Sequence, residues 1–161
     1  MVVASETCPV AQSHCRAMAV EHGFSDRISI VGILTPEDLE SILHRFSRPF
    51  ILSDCEGYEK TLLDLKRAPS LATADILVEC HDFVDPDITP ILISRLQYTH
   101  SINKVEQGAR DPNSAAVLKG REDIIRWLAV CEFRPNAMHW LYCTANQKAS
   151  THKASQTAPA Q

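Results

Sequence analysis

The chain has 161 residues, 45% of them hydrophobic and 22% charged, with a formal net charge of −4. That length suits one domain, and the composition is that of a soluble globular protein. The acidic balance and scattered Lys and Arg give no electrostatic footprint for nucleic acid and little attraction to an anionic membrane, and no apolar run nears the roughly 20 residues that span a bilayer.

Residues 1–6 lack a basic region followed by a long apolar segment, so no signal peptide is expected. A short strand over 2–5 ends at Glu6. Pro9 suits a helix start; Val10, His14 and Met18 with Ala11, Cys15 and Ala19 make a helical stripe to His22, and Gly23 closes it. Residues 27–33 alternate and are rich in β-branched side chains, which reads as a strand. Thr35-Pro36-Glu37-Asp38 opens a helix, with Thr35 as N-cap, Pro36 in the first position and Asp38 at the capping-box site. Leu39, Ile42, Leu43 and Phe46 supply its apolar face, and Arg48-Pro49 ends it. A strand from Phe50, a helix over 59–65 and a strand from Ile76 follow. A helix over 87–96 turns Ile88, Ile91, Leu92 and Leu96 inward. Residues 99–106 read as a strand and Asp111-Pro112-Asn113 as a turn. A helix over 121–131 presents Ile124, Ile125, Leu128 and Cys131, and 137–144 is a last strand, parallel or antiparallel to 99–106. Trp127 and Trp140 fall on apolar faces and read as core. The tail, 146–161, has almost no large apolar side chain and reads as disordered, leaving 1–145 as the domain.

Six cysteines form no C-x-x-C pair and mostly lie in apolar or helical runs, which predicts reduced thiols in a cytoplasmic setting and no metal.

Alternating strands and helices predict an α/β fold with a mostly parallel sheet. The informative unit is the repeated grammar of an apolar run breaking into acids: Phe50 to Ser53 into Asp54-Cys55-Glu56-Gly57-Tyr58-Glu59, then Ile76 to Val78 into Glu79-Cys80-His81-Asp82. In an open α/β sheet, ligands bind outside the carboxyl ends of strands, so both clusters face the edge where chemistry is done. Asp54 closes its strand and Gly57 permits a tight turn; Asp54 alternatively caps the next helix, whose first turn would hold Glu56 and Glu59. Glu79 and His81 share a strand face and form a candidate base pair, or a strand-end cluster bonded to loop backbone with Asp82 capping. Glu6 is a candidate ribose-binding acid or a solvent-exposed loop acid. Thr99-His100 and Arg110-Asp111 are candidates for a pocket rim.

Asp54-Cys55-Glu56-Gly57-Tyr58-Glu59 resembles the D-x-E-G-x-E element after the fourth strand of FkbM-like methyltransferases, class I enzymes that use S-adenosyl-L-methionine. The run from Ala74 to Asp82 looks like their fifth strand, and Val3-Ala4-Ser5-Glu6-Thr7 is similar to the second with its ribose-binding acid. The resemblance spans roughly residues 2–144. It implies a Rossmann-like sheet in the order 3-2-1-4-5-7-6 with the last strand antiparallel. It also implies methyl transfer, O-methylation of a small-molecule acceptor being the expectation. By that analogy Glu6, Asp54 and Glu56 contact the cofactor, and His81, Asp54 and Glu79 are catalytic, His81 as base. The chain departs from the pattern at its start: the first strand and its glycine-rich loop are missing, and the five glycines are all isolated. The expected domain is therefore N-terminally truncated, with an open inner edge that leaves room for a homo-oligomer. The alternative is a non-catalytic remnant acting as a binding or interaction module. A metal-dependent hydrolase built on Asp54, Glu56, Glu79 and His81 is a third reading, and the lack of a second histidine at helical spacing argues against it.

Overall fold

The structure, a computed structural model, describes residues 1–146, so the expectation of a disordered tail lies outside the described residues but for Asn146. Strands and helices alternate as β1 (Val2–Ser5), α1 (Pro9–Glu21), β2 (Ile28–Val31), α2 (Pro36–Leu43), β3 (Phe50–Ser53), α3 (Glu59–Leu62), β4 (Asp75–Cys80), α4 (Ile88–Leu96), β5 (His100–Glu106), α5 (Asp123–Val130) and β6 (His139–Ala145). β1 and β2 form a parallel pair, and the other four make a sheet in the order β3-β4-β6-β5. β3 runs parallel to β4, whereas β6 lies antiparallel to both β4 and β5. The fold is α/β with a mixed sheet, and the pairing left open by the sequence is antiparallel. None of the described helices is long and apolar enough to cross a membrane.

One face of the four-stranded sheet carries the core. Ile76, Val78 and Cys80 of β4 and Leu141 and Cys143 of β6 pack under Ile88, Leu92 and Leu96 of α4. Leu39 and Leu43 of α2 join them together with Leu63 and Leu71, whereas α1 is the helix that packs against β2. The opposite face is open: Phe50 and Leu52 are 60% and 71% exposed, and Tyr142 and Val105 are exposed beyond them. His100, a rim candidate, is instead a satisfied core histidine. Its Nε2 donates to the Ala74 carbonyl at 2.9 Å, and its Nδ1 lies 2.8 Å from the Thr99 hydroxyl.

The local signals hold where one short motif decides them. Gly23 has φ +69 after α1, and Phe24 N–H reaches back to the Ala19 carbonyl at 2.7 Å, the C-cap expected. The Thr35 capping box is complete. Three expectations need correction. α3 is a single turn rather than a helix over 59–65, because Arg95 of α4 donates to the Lys60 and Leu63 carbonyls that a longer helix would use. α1 buries only Ala19, with Ala11 and Cys15 half-buried beside it, while Val10 and Met18 are 62% and 58% exposed. α5 contacts chiefly the Pro112–Ser114 turn, and Trp127 is half exposed, not core. The apolar stripe of α5 predicts a helix correctly but cannot say whether a sheet lies within reach.

Candidate functional site

The loops after β3 and β4 meet at the carboxyl edge of the sheet. Tyr58 N–H donates to the Cys55 carbonyl at 3.1 Å, closing a turn whose central residues Glu56 and Gly57 have φ of +52 and +104. Positive φ at both positions suits Gly and Asn, and a glutamate there is strained by about 1–2 kcal/mol. A Cβ on Gly57 would stand 2.8 Å from Val84 Cγ1, so the turn presses directly against the loop after β4. That approach brings the two acidic clusters into one place.

At its centre is His81, with only 2% of its side chain exposed. Its Nδ1 lies 2.5 Å from Oε1 of Glu59, a carboxylate with no exposed surface. A carboxylate only accepts, so Nδ1 carries a ring proton toward Glu59. The same Glu59 oxygen accepts from Gly57 N–H at 3.2 Å, while its Oε2 is buried with no partner. Phe83 meets the imidazole edge-on, with ring centroids 5.7 Å apart. Nε2 faces outward, 3.4 Å from Glu56 Oε2 and 3.6 Å from Asp54 Oδ1. These separations exceed a normal hydrogen bond, so both exposed carboxylates stand off from the ring. Cys55 lies between them in sequence, and burial pushes its thiol up to about 11, which leaves it protonated and unreactive at neutral pH.

The expectations for this edge fare unequally. Asp54, Glu56 and His81 come together as anticipated. Glu79 does not pair with His81. It is buried under Arg134, whose guanidinium also bonds Glu132, and Glu132 in turn pairs with Arg110. The partner that orients His81 is Glu59, read from sequence as a helix N-terminal charge; its place as the second glutamate of D-x-E-G-x-E was the available signal. Asp82 takes its bland role, accepting from Thr89 N–H at 3.0 Å in the first turn of α4. The Thr89 hydroxyl lies 2.7 Å from His139 Nε2, a contact with no precursor in the sequence reading. Glu6 accepts from Cys8 N–H at 2.7 Å, at the start of α1. All six cysteines are free; Cys80 and Cys143 are buried, but Cys8 and Cys131 are exposed.

Surface clefts of about 360 and 370 Å³ lie beside Arg95 and beside Trp127, and neither includes a residue of the His81 cluster. At the cluster itself, the Nε2 of one buried imidazole lies between two exposed carboxylates. No protein-family model matches the chain, and no curated protein matches it.

Proposed function

We propose that the domain is of the S-adenosyl-L-methionine-dependent methyltransferase type, acting on a small-molecule hydroxyl. The observation that carries this reading is the strand order β3-β4-β6-β5 with β6 antiparallel. It is the order expected for the second half of a Rossmann-like methyltransferase sheet, and it sets the D-x-E-G-x-E turn beside the end of β4. The cofactor supplies a methyl group on a sulfonium. The residues of this chain supply the rest: Asp54 and Glu56 give negative charge at the carboxyl edge, and His81 Nε2 takes the acceptor's proton. Glu59 holds the imidazole in the tautomer that can do so, and alignment by the two loops lowers the barrier.

The fit of the cofactor is partial. Glu6 keeps one carboxylate oxygen for a ribose hydroxyl beyond its bond to Cys8. For the amino-acid end there is no cradle: a Cβ at Gly23, Gly32, Gly108 or Gly120 would meet nothing within 4 Å. The same observation favours a second reading, a non-catalytic module that keeps the acceptor half of the fold. Both readings are consistent with a cytoplasmic protein that binds neither nucleic acid nor membrane.

Calorimetry with S-adenosyl-L-methionine separates them. Methyl transfer by this chain requires saturable heat of binding, weakened by Asp54→Asn. Absence of heat at millimolar ligand sinks it and leaves the binding module.

A further inference from the structure

We infer that Asp54, Glu56 and His81 form a binding site for a divalent first-row cation, Mn²⁺ or Zn²⁺. One ligand atom from each of the three residues lies within 4.8 Å of the others. Cations of this class sit about 2.0–2.2 Å from imidazole nitrogen and carboxylate oxygen. Ligand atoms around such an ion are about 3.0 Å apart at right angles and about 3.4 Å apart at the tetrahedral angle. The His81 Nε2 separations of 3.4 and 3.6 Å fit the wider of these, with exposed, unconstrained carboxylates free to close the remainder.

An acidic cluster alone would not make a site, and two further observations point to a cation. The first is behind the ring. A buried carboxylate on the inner nitrogen of an imidazole is the support that fixes a metal-ligating histidine, setting its tautomer and raising its basicity. Glu59 is fully buried in that position, and among the described residues its Oε2 has no hydrogen-bond partner. The second is charge. Three carboxylates surround one imidazole, which even when protonated offsets only one of them, and among the described residues no lysine or arginine forms an ion pair with Asp54, Glu56 or Glu59. Excess negative charge crowded around a buried ring is costly, and a divalent ion between Nε2 and the exposed outer carboxylates supplies the compensation.

The donor set selects the class. One imidazole with two carboxylates suits Mn²⁺ and Zn²⁺ better than Mg²⁺, which prefers oxygen and water, and it lacks the thiolates that would single out zinc. Three protein ligands leave coordination positions open toward solvent, the pattern of a catalytic rather than a structural centre. With the ion seated, His81 is a ligand and no longer a base. A hydroxyl bound at an open position then ionises more readily, so the cation takes over that task. The site stands on its own geometry and does not depend on methyl transfer.

The test uses the whole chain, stripped with a chelator and dialysed, and titrated with Mn²⁺ alone by calorimetry and electron paramagnetic resonance. Mn²⁺ is chosen because the exposed thiols of Cys8 and Cys131 compete poorly for it. One ion per chain is expected, with Glu56→Gln and Asp54→Asn each weakening binding at least tenfold. Glu56 is 80% exposed, so its variant keeps the fold, and circular dichroism checks that it does. A bound Mn²⁺ should also broaden the His81 ring resonances first. No saturable binding by the parent chain overturns the proposal, and so does binding that both variants leave unchanged. Because no methyl donor is present, either result is separate from the fate of the methyl-transfer reading.

Discussion

Gly57 decides the site more than any charged residue does. Its φ of +104 is closed to ordinary side chains, and the space where a Cβ would go is filled by Val84. Both constraints act together, so Gly57→Ala is expected to cost on the order of 1–3 kcal/mol in urea unfolding. Val84→Ala added to it should recover only part of that loss, because it relieves the contact and not the dihedral. A loss fully recovered by the second change would show that φ is unimportant. Glu79 illustrates the converse. Its position beside His81 in sequence suggested a partnership, but alternation puts it on the strand while His81 lies beyond the strand end, and Arg134 takes it.

At the scale of elements, α2 is fixed by its own first turn. Asp38 accepts from Thr35 N–H at 3.0 Å and from the Thr35 hydroxyl at 2.7 Å, while Asp38 N–H donates to that hydroxyl at 3.2 Å. The backbone bond, then the hydroxyl bond, hold the Asp38 carboxyl below its ordinary value of 3.8. A depressed carboxyl contributes stability that is present above its unfolded value and is lost as pH falls through its folded one. Thr35→Ala removes the cap, with an expected loss of about 1 kcal/mol near neutral pH. The gap between parent and variant should narrow as the pH drops below the ordinary aspartate range. Denaturant titrations at neutral and acid pH measure it; an unchanged gap would remove Asp38 from the account. α3 shows the limit of such local signals, since a side chain from α4 ends it.

Across the whole molecule, the two sheets differ in how they are held. β4 has a partner on each side and a core face with no exposure at Ile76 and Val78. Among the described residues β1 and β2 pair only with each other, and Val2 is 57% exposed. Two strands alone are marginal in water, and the helix that packs against them, α1, fully buries only Ala19. Native-state hydrogen exchange should therefore find the β1–β2 amides opening well below the global unfolding energy and those of β4 and β6 opening with it. Equal protection in both sheets would mean that they unfold as one unit.

The sequence by itself determined the alternation of elements, the boundaries set by caps and glycines, and the meeting of Asp54, Glu56 and His81 at one sheet edge. Each of those follows from near neighbours: a capping box, a C-cap glycine, or the rule that parallel strands end on the same side. Tertiary structure alone decided the exposure of α5, the pairing of Glu79 with Arg134 and the burial of Glu59 behind the imidazole. These depend on which distant residue arrives at a given point. Glu59 and His81 are 22 positions apart, and no spacing rule distinguishes a glutamate that caps a helix from one that holds a ring.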